Sequence, residues 1–470
     1  MNYFKIYHNL PYILKYLAFN IKTFLNYRKR FFGNYNKYLN EYLELWYNDM
    51  EIINNYQKKQ LIKLLKESYK HSKWYKDKMD NLNITYKQIE IDPYEVLSKM
   101  PILKKNERKD FVKDIINTNK ERKTKTIDFT SGTSGSPTIN YLDKESIERS
   151  FALWKRFHYV IGIKEKQKNV RFSGKIFINP NKKKPPFWMY NIFEKQLFMS
   201  TYHLTEKNIL YYLKKLNEFK PFFLDGYPSA LFILAKYINK NQIKLKFKPF
   251  AIMVTAETLY EYQRKAIEKA FNCKVYNQYA SSEGSPFITE CSENKLHLNI
   301  DSGIFEFFNK DDKKAKPGEI ARLVVTSFRN LKTPLIRYDI GDTVLLPEKE
   351  IVCNCGCKMP VVKEIIGRED DILWTEEKGF VGRMDTAFKG LKGIDKTQII
   401  QKSPTLFEIN IIVDDTYTQK DEVLFLKNLQ ERLGKNVHYK LNYVNDIPLG
   451  SNGKFIAVKR KFKLKDYDIQ

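Results

Sequence analysis

The segment Phe222-Phe223-Leu224-Asp225-Gly226-Tyr227-Pro228-Ser229 opens a stretch in which strand and helix signals alternate. Its apolar run ends in a Gly/Pro turn, and a helix through Leu231 and Leu234 follows. Upstream, Thr205 followed by Glu206 opens a helix whose apolar face is Ile209, Leu210, Leu213 and Leu216. Downstream come a strand candidate over 250–254, a helix over 259–271 and a strand over 274–279. Strand and helix in turn over this length predict an α/β fold, a parallel sheet with helices on its faces. Ligands in such sheets gather at loops beyond the carboxyl ends of the strands. Thr255-Ala256-Glu257 and Tyr279-Ala280-Ser281-Ser282-Glu283 both follow strand candidates directly, where a ligand would sit.

The rest of the chain extends this frame. At 470 residues it exceeds one ordinary domain, and 43% apolar content supplies ample core. A formal charge of +27 points to anionic partners such as nucleotides, nucleic acid or a membrane surface. The lysines are spread rather than clustered, as a biased genome composition would leave them, so no nucleic-acid partner is expected. Five cysteines, all in the second half, make no secreted disulfide framework. No run approaches the ~18 apolar residues that span a bilayer. The amino end lacks the short apolar core and cleavage site of an export signal, and a cytoplasmic protein is expected.

Residues 1–40 mix Phe4, Tyr7, Tyr12, Tyr16, Phe19, Phe24 and Tyr27 with Lys22, Arg28, Lys29 and Arg30. Such a helix either docks on the protein's own body, the favoured reading, or makes peripheral membrane contact. Leu61, Leu64, Leu65 and Tyr69 predict a helix over 55–79 with one buried face. From 296 to 346 the pattern turns β-rich, with pieces at 296–300, 304–308 and 321–328. A last block follows Gly367-Arg368-Glu369-Asp370-Asp371, with a helix near 382–389, a hairpin around Ser403, a helix over 419–433 and a strand. The expected division is a large domain over 1–369, with a helical extension over 1–50, and a small α+β lid over 370–470.

Phe129-Thr130-Ser131-Gly132-Thr133-Ser134-Gly135-Ser136-Pro137-Thr138 is dense in hydroxyls and glycine and has no acidic side chain. Glycines let the backbone approach a ligand, hydroxyls donate, and successive N–H groups form a concavity for anionic oxygens. That chemistry suits a polyphosphate. The Gly-Lys-Ser/Thr ending of a Walker loop is missing, as is the Gly-x-Ser-x-Gly of a nucleophile elbow. Gly132 to Pro137 echoes a serine-protease nucleophile loop without that enzyme's histidine and aspartate context. A polar surface loop is the competing reading.

Five loops stand in order: 130–138, 279–283, Thr333-Pro334-Leu335-Ile336-Arg337-Tyr338-Asp339-Ile340-Gly341-Asp342, 367–371, and Pro448-Leu449-Gly450-Ser451-Asn452-Gly453-Lys454. The series resembles the adenylate-forming superfamily of acyl-CoA synthetases, peptide-synthetase adenylation domains and luciferases. It is closer to the phenylacetate–CoA ligase-like branch, including the group associated with capsular polysaccharide biosynthesis. The resemblance implies that Thr130, Ser131, Gly132, Thr133, Ser134 and Gly135 hold the phosphates of ATP. Ala256 and Glu257 would lie against the adenine and Tyr279 would stack on it, with Ser281 and Ser282 in the same nucleotide-binding loop. Glu283 would help hold Mg2+, a cation suited to carboxylate and phosphate oxygens. Asp342 would accept the ribose hydroxyls and Arg368 would grip the same sugar. Asp370 would be the hinge of a mobile small domain. Lys454 would complete a catalytic set with Glu283 and Thr133 by stabilising charge as the adenylate forms. One departure is Ser136, where many members of the branch carry Lys.

The implied reaction is attack of a small-molecule carboxylate on the α-phosphorus of ATP, then displacement of AMP by a thiol, that of CoA, or by an amine. The nearest alternative is an acid–amine ligase forming an amide on a sugar or amino acid in polysaccharide biosynthesis. A non-catalytic AMP-binding relic comes next, and a basic protein binding nucleic acid or a membrane surface is the reading from another class. Cys353, Cys355 and Cys357 cluster as Cys-Asn-Cys-Gly-Cys, with Cys291 and His297 upstream. Members of the branch can carry a comparable Cys/His set. Cys291, His297, Cys353 and Cys355 are the expected ligands of a closed, structural Zn2+ site, against free buried thiols. Cys273 is expected to be simply buried.

Overall fold

A computed structural model describes residues 7, 10–129, 139–164, 166–179, 181–281, 283–309, 311–368, 373–377, 379–381, 384, 387, 391, 393–448 and 455–462. Helices Tyr12–Phe31, Tyr35–Tyr47 and Met50–His71 come first. The helix expected over 55–79 is broken at Ser72, which is extended (φ −120°, ψ 117°) and donates its hydroxyl to the Asp114 carbonyl. A new helix, Lys73–Asn81, starts there.

β1 (Thr126–Phe129) and β2 (Ile139–Leu142) pair antiparallel on either side of residues 130–138. Then come β3 (Asn169–Ser173), β4 (Trp188–Asn191), β5 (Gln196–Ser200), β6 (Phe223–Gly226), β7 (Ala251–Thr255), β8 (Lys274–Tyr279), β9 (Ile288–Glu290) and β10 (Leu296–Leu298). They are followed by β11 (Gly303–Phe308), β12 (Ile320–Ser327), β13 (Leu335–Leu345), β14 (Val361–Val362) and β15 (Glu364–Arg368). The large sheet runs β14-β10-β9-β8-β7-β6-β3-β5-β4, and β5, β3, β6, β7 and β8 are mutually parallel. Helices Ile209–Phe219, Pro228–Lys240 and Glu261–Phe271 cover it: Leu213, Leu216, Leu231, Leu234, Ile267 and Phe271 pack on Val170, Phe172, Leu224, Ile252, Val254 and Val275. A parallel strand covered on both faces reads as a continuous apolar run, which is why β7 is Ala-Ile-Met-Val.

An antiparallel sheet, β11-β12-β13-β15, shares a core with the Met50–His71 helix through Leu61, Leu64, Leu65, Leu323, Val325, Leu335 and Tyr338. The small domain carries β16 (Leu373–Thr375), β17 (Gly379–Val381), β18 (Ile394–Gln401), β19 (Leu406–Val413), helix Gln419–Leu433, β20 (His438–Tyr443) and β21 (Val458–Arg460). Its sheet order is β20-β19-β18-β21, with its own core of Ile399, Phe407, Ile409, Ile411, Phe425, Leu429 and Leu433. The expected turn at Ser403 joins β18 to β19; the expected helix at 382–389 falls mostly outside the described residues. The fold is therefore α/β: a large domain of parallel-sheet layers and a β-rich part, then a small α+β domain.

Candidate active site

Three loops leave the carboxyl ends of neighbouring parallel strands β6, β7 and β8. After β7 the chain turns sharply, with Ala256 at φ +72°, a left-handed conformation that costs a non-glycine residue about 1 kcal/mol. That turn sends the Glu257 carboxylate to two backbone donors. Oε2 accepts from Ser229 N at 3.1 Å, in the first turn of the Pro228–Lys240 helix, where the helix dipole favours an anion. Oε1 accepts from Phe455 N at 2.9 Å, in the small domain.

At the end of β8, the Tyr279 hydroxyl donates to Asp342 Oδ2 at 2.5 Å, joining the large sheet to β13. Burial raises the Tyr279 pKa well above its ordinary value, and the Asp342 carboxylate adds to that. Asp342 lies directly opposite Arg368 in the β13–β15 register, so both stand on one stretch of sheet; the Arg368 side chain lies outside the described residues. Ser281 and Ser285 exchange hydrogen bonds, each hydroxyl accepting from the other's backbone N–H at 3.1 and 3.3 Å. This closes the loop that carries Glu283, whose side chain is buried. Gly284, at φ +93°, makes the turn. The nearby Tyr338 hydroxyl is raised by burial and, second, by Glu283.

Sequence reasoning missed Arg329. Its buried guanidinium donates to the Ser285 carbonyl and to Ser150 Oγ and lies 4.3 Å from the Phe287 ring, bracing the loop from below. Burial lowers its pKa to about 10. No motif signals it, because its partners are 44 and 179 residues away. Thr130, Ser131, Gly132, Thr133, Ser134, Gly135, Ser136, Ser282, Asp370 and Lys454 lie outside the described residues. The flanks of two of these segments are described: strands β1 and β2 bracket 130–138, and Phe455 follows Lys454.

A second cluster shares a core with Ala280 and Phe287, at the two ends of the loop after β8. Ligand atoms of Cys291, His297, Cys353 and Cys355 all stand within 4.8 Å of one another. Cys291 Sγ is 3.6 Å from Cys353 Sγ, and Cys355 Sγ is 3.4 Å from His297 Nε2. His297 Nδ1 is 2.8 Å from the Met359 carbonyl, so it carries the proton and leaves the Nε2 lone pair facing the sulfurs. That second hydrogen bond is the kind that orients a ligating histidine. Three sulfurs and one such nitrogen suit tetrahedral zinc with no position left for water. Cys357 is buried beside the cluster, and Cys273 is half-buried.

Protein CapK of Staphylococcus aureus is 34% identical over 459 residues, 97% of this chain and 98% of its own length. The chain belongs to the CapK family. A family model described as the CapK C-terminal domain matches residues 373–461. A phenylacetate–coenzyme A ligase of Thermus thermophilus is 28% identical over 176 residues, 36% of this chain and 38% of its own. Among solved structures, a 2-hydroxyisobutyryl-CoA ligase in the postadenylation state with its acyl-AMP superposes at a TM-score of 0.66. It is 16% identical, and the match covers 88% of this chain and 90% of that one. This CapK-family chain therefore has the fold of an adenylate-forming ligase. Its C-terminal domain is tied to the large one through the Pro228–Lys240 helix. Lys236 Nζ donates to the Ile394 carbonyl at 3.0 Å and lies 3.4 Å from Asp414, and Lys240 meets Asp415 at 2.9 Å. Both lysines belong to the helix whose amino end Glu257 holds.

Proposed function

We propose that this chain activates a small carboxylic acid with ATP, forming an acyl-adenylate and pyrophosphate, and passes the acyl group to the thiol of CoA. The observation that carries this reading is the 2.5 Å hydrogen bond from Tyr279 to Asp342, with Arg368 across the strand pair and Glu283 buried nearby, at the carboxyl ends of a parallel sheet. An acceptor-only carboxylate beside an aromatic ring suits a nucleoside: the ring stacks on the base and Asp342 takes the ribose hydroxyls. Donors at 130–135 would meet the phosphates. Mg2+ held by Glu283 and phosphate oxygens would neutralise charge there, and a buried carboxylate fits that role.

Attack by the acid's oxygen forms an O–P bond as the bond to pyrophosphate breaks. Anion–anion repulsion is the main obstacle, so a cation brought to the α-phosphate is the needed aid. Lys454 is the residue proposed for it, supported by the anchoring of its neighbour Phe455 on Glu257. In the same reading the large domain spans 1–369, the lid spans 370–470, and Asp370 is its hinge. The Cys291, His297, Cys353 and Cys355 cluster holds a structural zinc, supported by its spacing and by the orientation of His297.

The test is acid-dependent exchange of labelled pyrophosphate into ATP across a panel of carboxylic acids, followed by AMP release with CoA or with amines. Exchange plus a CoA thioester supports the reading. Exchange with AMP release to amines alone replaces it with the acid–amine ligase. Tight ATP binding without exchange would leave a nucleotide-binding relic.

A further inference from the structure

An amphipathic surface helix ordinarily turns its aliphatic face to the core. The Tyr12–Phe31 helix does the reverse, for the residues it buries are Phe19, Asn20 and Thr23. Asn20 Nδ2 donates to the Tyr190 carbonyl at 3.1 Å, and Asn20 Oδ1 accepts from Ile192 N at 3.1 Å. The Phe19 ring stands 5.6 Å from Phe198 and 6.2 Å from Phe177. Those contacts fix the helix's rotation against the edge of the large sheet.

The opposite side carries Ile13, Leu14, Leu17, Ile21 and Leu25. Ile13 is 71% exposed and Ile21 63%, and the other three are about half exposed. At 3.6 residues per turn these five share one face, a stripe about 18 Å long. Lys15, Lys22 and Lys29, seven residues apart, form one row along its border, and Arg28 stands at its end. Residues 1–40 hold seven Lys or Arg and no Asp or Glu; the first acidic residue is Glu41.

We propose that this helix face docks the chain on the interface of an anionic lipid bilayer, lying in its plane. The chemistry is complementary on both counts. Aliphatic side chains enter the boundary between headgroups and acyl chains, while a row of lysines meets acidic headgroups. Among the described residues no helix is long and apolar enough to cross a membrane. A second copy of this chain fits poorly, because pairing the stripe with itself would bring two lysine rows together with no acid between them. The proposal does not depend on the ligase reading.

The experiment is co-sedimentation of the purified full chain with phosphatidylcholine vesicles, with and without phosphatidylglycerol, at low and high salt. Binding to the anionic vesicles is expected, falling as salt rises. The Leu17→Glu/Ile21→Glu variant and the Lys15→Gln/Lys22→Gln/Lys29→Gln variant should each bind at least about tenfold more weakly. Leu17, Ile21, Lys22 and Lys29 are exposed, and Lys15 is half-buried. Among the described residues their one side-chain hydrogen bond is a 3.4 Å contact from Lys29 Nζ to the Lys125 carbonyl. Both variants should therefore keep the parent's far-UV circular dichroism and lie within a few degrees of its melting temperature. Lack of binding to anionic vesicles overturns the proposal, and so does binding that the Leu17/Ile21 variant leaves undiminished. A dimer in sedimentation velocity that the same variant converts to monomer would give the face to a second copy instead.

Discussion

The Tyr279 hydroxyl and the Asp342 carboxylate, 63 residues apart in sequence, meet at 2.5 Å and join the parallel sheet to the antiparallel one. With its pKa raised by burial and then by Asp342, Tyr279 keeps its proton at neutral pH and holds the carboxylate in one orientation. In Asp342→Ala, acid-dependent pyrophosphate exchange should fall about 10- to 150-fold, the worth of hydrogen bonds to a charged group. Tyr279→Phe keeps the ring and loses the donor, so its loss should be smaller. Parental exchange in Asp342→Ala would remove the residue from the site.

Lys454→Ala should separate the two half-reactions. Adenylate formation, followed by exchange, should drop about 100-fold or more. Thioester formation from a supplied acyl-adenylate should be nearly unaffected. Equal losses in both steps would strip the lysine of its assigned role.

Protein purified without added metal should contain about one zinc per chain, the capacity of a single four-ligand site. Stripping it with a chelator should lower the melting temperature by several degrees and make Cys353 and Cys355 available to alkylation. Cys291→Ser should reproduce the loss without chelator. Substoichiometric zinc in a chain whose cysteines alkylate freely would discount the site.

Glu145 gives the stability an acid limb. Burial alone would raise its carboxyl, but Arg149 Nε at 2.9 Å and Lys63 Nζ at 3.0 Å outweigh that and hold it down to about 2. A depressed carboxylate stabilises fully above its unfolded pKa, and this contribution is lost as pH falls through the folded one. Between about pH 4.5 and 2 the parent should therefore lose up to about 3 kcal/mol that Glu145→Gln never had. Urea melts across that range measure it; parallel pH profiles for the two proteins would contradict it.

Much of the frame was legible because its signals are local. The apolar run of β6, the Gly226-Tyr227-Pro228 turn and the following helix each announce themselves within a few residues, and β7 and β8 do the same. Asp342 could be picked out only as part of an ordered set of loops, since a lone aspartate on a strand carries no signal. Glu257 as an anchor for Phe455 was not legible, because the two are 198 residues apart and meet only when the small domain packs on the large one. The Ser72 break was missed because apolar spacing continues through it to Met79, while a long-range bond to Asp114 decides it. For the Tyr12–Phe31 helix, periodicity reveals that two faces differ but not which one turns inward. Asn20, by reaching the backbone of the sheet, settles that.

The contact made by Asn20 has a further consequence. Among the described residues β4 ends its sheet, pairing with β5 alone, and the amide of Asn20 satisfies the Tyr190 carbonyl and the Ile192 N–H much as another strand would. Cutting the chain before Phe32 would bare that hydrogen-bonding edge, an invitation for copies to stack edge to edge. A shortened protein would then precipitate for reasons unrelated to lipid, so the helix is better interrogated by point changes than by truncation.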